Sequence, residues 1–285
     1  MHIRMLEDDT YGPPTYGVGM PIVVFFSARI TEARDFVAAT MVKINGAEAK
    51  GYWYFEASSS PNYPIQASFL PYTSDPPAYA QGIRTLWPAN SHVEMSMHTK
   101  GISAGHGLVF DDSLSLRMTI ADAHISTVDC AAGVERMISR DNGSPWRTFR
   151  VSCGAPKTPT FTGIKVVMQK GEPDPATGIQ RPNGAVIMRG PGYRELVNWS
   201  VRITMSGEYV HDAPWNTANI GVRSTSHGCT NLSDADSFAY YKWARIGDVV
   251  MHAHTGGGTV PSWDGYGTHN LSLAQLLSGG LVPTQ

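Results

Sequence analysis

One stretch of the chain, residues 207–232 (GEYVHDAPWNTANIGVRSTSHGCTNL), gathers the side chains best suited to covalent chemistry: His211, then Ser226-His227-Gly228-Cys229, then Asn231. A cysteine attacks a carbonyl carbon only as a thiolate, or with a base in reach to take its proton. His211, which closes the strand-like residues 208–210, is the candidate base. Acyl transfer also needs backbone N–H groups aimed at the oxygen on which charge develops. Gly228 has no Cβ to hold a substrate away from the backbone. Residues 233–244 (SDADSFAYYKWA) read as a helix beginning directly after this stretch, so its N-terminal amides and dipole are expected to favour an anion at Cys229. Taken singly, a lone cysteine is usually a small buried hydrophobe and a lone histidine a structural residue. Together they point to a thiol nucleophile.

The ten histidines offer a competing chemistry. His252 and His254 alternate along a strand-like run and could join His211 or His227 around a metal. No acidic residue or cysteine stands beside them at ligand spacing, so no metal is expected. Three cysteines, Cys130, Cys153 and Cys229, contain no CxxC pair, which argues against structural zinc and thioredoxin-like redox chemistry. A formal net charge of −2 and the absence of any Lys/Arg-rich run exclude a nucleic-acid partner. No apolar run reaches membrane-spanning length. The N-terminus lacks a basic region followed by an apolar one. The full-length protein is therefore either cytosolic or exported through a segment outside this sequence.

Those residues need a frame, and the frame reads as mainly β. The chain holds 29 Gly and 19 Pro among its 285 residues, which suits short strands joined by turns. Residues 21–30, 51–55, 83–88, 92–98 and 115–120 are strand-like and suggest a sandwich of broadly immunoglobulin-like class over residues 1–122. Within that domain residues 31–41 alone look helical, with Thr31 as N-cap. A second β run follows: residues 124–129, 134–140 and 146–153, with Asn142-Gly143 as a hairpin turn. Residues 248–253 read as a closing strand, giving a domain over 123–255 and a Gly-rich tail over 256–285 that packs back. Residues 171–183 form a long polar loop of the kind that covers a site. In an oxidising compartment Cys130 and Cys153 could pair. A three-strand meander, however, would hold the first and third strands about 9.6 Å apart, beyond the roughly 7 Å that a disulfide tolerates.

The His211, Ser226-His227-Gly228-Cys229-Thr230-Asn231 pattern resembles the catalytic domain of the L,D-transpeptidases (YkuD type). Gly192-Tyr193-Arg194, Asn198-Trp199, Ser206-Gly207, His211-Asp212-Ala213-Pro214-Trp215 and residues 245–249 (RIGDV) are similar to its mycobacterial-type branch. In that branch an immunoglobulin-like module precedes the catalytic domain. The resemblance implies Cys229 as nucleophile and His211 as base, oriented by the carbonyl of Asp212, whose carboxylate could also stabilise the imidazolium. It implies oxyanion-hole amides from His227, Gly228 and Cys229. Substrate contacts are implied at Tyr193, Ser206, Gly207, Trp215 and Asn231, with plain core packing as the alternative for Tyr193 and Trp215. Residues 171–194 would be a lid. The implied reaction joins two peptidoglycan stem peptides, donor and acceptor, by a 3→3 crosslink through a Cys229 thioester. It uses no cofactor and implies covalent inhibition by carbapenems. Hydrolysis of the same thioester, or a catalytically dead wall-binding module, are the alternatives. The substrate places the protein outside the cytoplasm, with membrane or wall association through a preceding segment.

Overall fold

A computed structural model describes residues 1–5, 15–190 and 193–284. The chain forms two compact units, Met1–Asp122 with Leu271–Gln285, and Ala123–Asn270. The expected 256–285 tail is thus divided between them. Residues 256–270 continue the second unit, where Asn270 brackets Ile164 by accepting from its amide and donating to its carbonyl, both at 2.8 Å.

In the first unit a four-stranded sheet has Tyr63–Pro71 at its interior, paired with Ile22–Phe26 and Gly51–Ser60. A five-stranded sheet is built around Ser91–Met97 and Leu114–Ile120. Their period-two alternation buries Val93, Met95 and Met97 while Glu94 faces solvent. Phe26, Phe36, Phe55 and Phe110 pack ring on ring in the core. Two expectations fail here. Residues 31–41 give only the helix Arg34–Ala38, with Ala33 at its N-cap and no side-chain cap. Thr31 instead donates its amide to the Ala104 carbonyl, and Thr40–Ile44 is a strand because it pairs with Ser91–Met97. Residues 83–88 form no strand. That run is anchored by Trp87, whose amide and ring N–H donate to the carbonyls of Val18 and Met20. Tyr63–Pro71 is a strand that the sequence does not announce, since Pro64 and Pro71 near its two ends read as turn residues.

The second unit is built on a five-stranded sheet. Its order is Ser144–Arg150, Arg136–Asp141, His124–Asp129, Val249–Ala253, Gly163–Val166. Asn142 and Gly143, both at positive φ (46° and 87°), make the expected turn of its hairpin. Val249–Ala253 lies inside the sheet, parallel to His124–Asp129 and antiparallel to Gly163–Val166. It ends before His254, whose φ of +54° turns the chain away, so His252 and His254 do not share a face. His252 is buried against the Thr230 hydroxyl at 2.8 Å, while exposed His254 pairs with Asp129 at 2.9 Å. The helix Asp234–Trp243 starts as expected, with Ser233 accepting from the Asp236 amide.

Cys130 and Cys153 form a disulfide, with Cα atoms 5.9 Å apart. The meander is as expected, but the distance bound drawn from it holds only inside the ladder. Beyond Arg150 the chain leaves that sheet, and Ser152 bridges to Asn231, which carries Cys153 away from its position on the third strand. With a sequence separation of 23 residues, chain-entropy arguments give the crosslink about 3 kcal/mol of stability. Reduction is therefore expected to lower the melting temperature of this unit by roughly 10 °C. Thermal unfolding with and without reductant checks this, and an unchanged midpoint would refute it.

Candidate active site

A second sheet of this unit places the reactive residues. Strand Tyr209–Asp212 runs parallel to Thr230–Leu232, with Val210 opposite Thr230 and His211 opposite Asn231. Alternation along both strands sorts their side chains. Val210 and Leu232 enter the hydrophobic core with Val128, Phe149 and Tyr240. Tyr209, His211 and Asn231 take the other face. Continuing the register by one residue sets Cys229 beside Tyr209, against which it packs. His211 thus lies diagonally across from Cys229, and both line one cleft of about 260 Å³.

Cys229 is not at a helix N-terminus. Strand Thr230–Leu232 and the Ser233 cap separate it from Asp234–Trp243, so the expected help from the helix dipole is absent. Burial dominates instead and pushes the thiol up to about 12, although the Tyr209 backbone amide bonds the sulfur and favours its anion. The thiol donates weakly to the Gly207 carbonyl at 3.7 Å. Only 9% of Cys229 is exposed, and the residue lines the cleft.

His211 Nδ1 lies 2.5 Å from the Asp212 carbonyl oxygen. A carbonyl can only accept, so Nδ1 carries the proton and donates it. The neutral ring then has its lone pair on Nε2. Burial lowers the His211 pKa to about 4, the carbonyl contact opposing this in part. The Asp212 carboxylate does not stabilise the imidazolium. It accepts from the Asn198 backbone amide at 2.6 Å and from Asn198 Nδ2 at 3.1 Å, and so is used to hold the neighbouring loop. Both shifts run toward the neutral forms, thiol and imidazole, of two groups that line one cleft.

The loop before Cys229 is held from several sides. Gly228 sits at φ +117°. An added Cβ would find ordinary space, 3.5 Å from Glu208 Oε1, so backbone conformation rather than crowding calls for glycine. Its amide donates to Ser226 Oγ at 3.2 Å, and that hydroxyl donates to the Cys229 carbonyl at 2.6 Å. Of the three expected oxyanion donors, the Gly228 amide is thus already engaged. Among the described residues, the amides of His227 and Cys229 have no acceptor. Beneath the loop Lys165 and Glu208 form a buried ion pair, and Glu208 Oε1 also accepts from the Phe161 amide at 2.7 Å. Burial draws both groups toward their neutral forms, and each partner opposes that for the other.

Of the remaining expected residues, Tyr193, Trp215 and Asn231 line the cleft. Tyr193 stacks on His227 with ring centroids 5.0 Å apart. Trp215 is 57% exposed, which rules out plain core packing for it, and its ring centroid lies 6.4 Å from that of His211. Gly207 meets the sulfur through its carbonyl. Ser206 is not a lining residue; its amide and hydroxyl both donate to the buried Asp264 at 2.6 Å. The expected lid, residues 171–194, ends inside a hairpin, Val186–Gly190 with Tyr193–Val197, which supplies Met188, Tyr193, Glu195 and Val197 to the cleft. Gly192 lies outside the described residues. Sequence reasoning missed Met188, Glu195, Asn216 and Thr225 on the cleft wall. Asn216 and Thr225 stood inside the stretch already singled out, next to Trp215 and Ser226, but neither carries a nucleophile or base to mark it. Among the described residues no group of three or more His, Cys, Asp or Glu is placed to hold a metal, and no helix is long and apolar enough to cross a membrane.

Residues 125–251 match the L,D-transpeptidase catalytic domain family (YkuD). The chain is similar to L,D-transpeptidase 2 of Mycobacterium tuberculosis (strain CDC 1551 / Oshkosh), at 32% identity over 68% of this chain and 47% of that protein. It therefore spans about half the length of that relative. It is also similar to the probable L,D-transpeptidase 3 of M. tuberculosis strain H37Rv, at 30% identity over 82% of this chain and 81% of that one. Among solved structures it is similar to L,D-transpeptidase 3 from M. tuberculosis in complex with a faropenem-derived adduct. That match has a TM-score of 0.60 and 25% identity, and covers 88% of this chain and 98% of the other.

Proposed function

Because the chain belongs to the L,D-transpeptidase family, we propose that it joins peptidoglycan stem peptides outside the cytoplasm through an acyl-enzyme on Cys229. One observation carries the reading. Cys229 and His211 share a cleft, and the Asp212 carbonyl fixes the imidazole with its free Nε2 lone pair available. The sulfur attacks the carbonyl carbon at the L-centre of the diaminopimelate in position three of a tetrapeptide stem, while Nε2 takes the thiol proton. The His227 and Cys229 amides donate to the oxyanion. The tetrahedral intermediate expels the terminal D-Ala, whose amine leaves with the proton held by His211, and a thioester remains. The side-chain amine of an acceptor stem then attacks the thioester and gives up a proton to His211. The carbon–sulfur bond breaks, the thiol regains its proton, and a 3→3 crosslink is formed.

Tyr193, Trp215 and Asn231 are the proposed substrate contacts on the cleft wall, with Gly207 and Ser206 shaping the pocket behind the sulfur. The chemistry needs no cofactor, since the thioester conserves the energy of the cleaved peptide bond. A strained β-lactam carbonyl of the carbapenem class should acylate the same sulfur. The protein would act at the wall. Incubation with a disaccharide-tetrapeptide is the test. A crosslinked dimer with release of D-Ala is expected. Tripeptide alone would mean water resolves the thioester, and intact substrate would end the proposal.

A further inference from the structure

Among the described residues lining the cleft of Cys229, Glu195 is the single acidic one, and no lysine or arginine stands there to offset it. The hairpin of Val186–Gly190 with Tyr193–Val197 explains how the carboxylate comes to face inward. Side chains alternate along a strand, so Tyr193, Glu195 and Val197 share one face, and the register sets Met188 directly opposite Glu195. All four line the cleft. Arg189 and Arg194, paired with each other one step along, fall on the other face. The hairpin's two arginines are thereby turned away from the carboxylate. Glu195 is exposed, and among the described residues it makes no hydrogen bond or ion pair.

An exposed carboxylate surrounded by water is ordinary on a protein surface. On the wall of a reaction cleft it fixes a negative charge where the second substrate must enter. Two nucleophiles compete for a thioester on Cys229, and they differ in charge: water is neutral, whereas a primary alkyl amine is an ammonium ion at neutral pH. A single-sign charge in a cleft raises the local concentration of the opposite ion and does nothing for a neutral molecule. We propose that Glu195 is a specificity-determining residue whose carboxylate receives the side-chain ammonium of the acceptor stem, biasing the thioester toward aminolysis over hydrolysis. The bound ammonium gives one proton to solvent at the exposed edge of the hairpin, and the amine so formed attacks as described above. The inference rests on the acyl-transfer reading and adds to it what selects the acceptor.

Glu195→Gln removes the charge and keeps the shape at an exposed position. The readout is the ratio of crosslinked dimer to tripeptide at a fixed concentration of disaccharide-tetrapeptide. Both products leave the same acyl-enzyme, so the ratio depends only on what resolves it. It is expected to fall about 10-fold, the scale for losing one charge-assisted hydrogen bond, and further in Glu195→Lys, which repels the ammonium. Added salt should lower the wild-type ratio and have little effect on that of Glu195→Gln. Hydroxylamine, a nucleophile uncharged at neutral pH, should resolve the thioester at one rate in the wild type and both variants. The first, single-turnover release of D-Ala, which reports the donor alone, should also be common to all three. An unchanged product ratio in both variants would overturn the inference. So would a slower first release of D-Ala with the ratio preserved, which would mean that the carboxylate holds the donor's own amine. A wild-type chain that yields only tripeptide, or no acyl-enzyme, would instead remove the functional reading on which the inference rests.

Discussion

Replacing Cys229 with alanine is expected to abolish acyl transfer, with turnover falling by about six orders of magnitude, the scale for removing a covalent nucleophile. No other described side chain on the cleft wall replaces it. The remaining cysteines are joined to each other in a disulfide, and the Ser226 hydroxyl is tied to the Cys229 carbonyl at 2.6 Å. Intact mass after exposure to a carbapenem reads the result directly. The wild type should gain one adduct and Cys229→Ala none. An adduct that persists in the variant would place the nucleophile elsewhere. The fold should not suffer, because the side chain lost is small and borders an open cleft.

Replacing His211 with alanine is expected to slow acylation by about 10²- to 10⁴-fold, the usual contribution of a general base, or roughly 3–5 kcal/mol of barrier. A thiol pushed up to about 12 is a thiolate in only about one molecule in 10⁵ at neutral pH. The sulfur therefore depends on a base to take its proton as it attacks. His211 can do so whenever it is unprotonated, which its pKa of about 4 secures through the neutral range. The sign follows: acylation should be lost as pH falls through about 4 and should show no alkaline limb near 8–9. A preformed thiolate–imidazolium pair would instead show that alkaline limb, where the imidazolium loses its proton. Added imidazole should restore part of the rate to His211→Ala. Wild-type acylation rates in that variant, without added base, would rule out the assigned role.

Much of the site was legible because its key residues fall in one stretch. His211, Asp212, Trp215, His227, Gly228, Cys229 and Asn231 lie within residues 207–232, and residue type alone marks a thiol and an imidazole as reactive. The helix Asp234–Trp243 and the Asn142-Gly143 turn were readable for the same reason, since a capping serine and a two-residue turn act over a few positions. The failures have a common cause as well. Residues 31–41 and 83–88 carry plausible local patterns, but strand pairing of Thr40–Ile44 and the buried anchor at Trp87 overrode them. The dipole argument for Cys229 failed because three residues that look like a helix approach pair as the strand Thr230–Leu232 instead.

From the sequence by itself came the family and a candidate thiol and imidazole, because the motif that carries them is a matter of side-chain type and short-range order. The protonation state of the pair was decided only by the tertiary structure, because it depends on how much water the surrounding strands exclude from Cys229 and His211. The same holds for the Cys130–Cys153 bond and the Lys165–Glu208 pair under the loop. Each depends on groups that are brought together by folding, which no local pattern encodes.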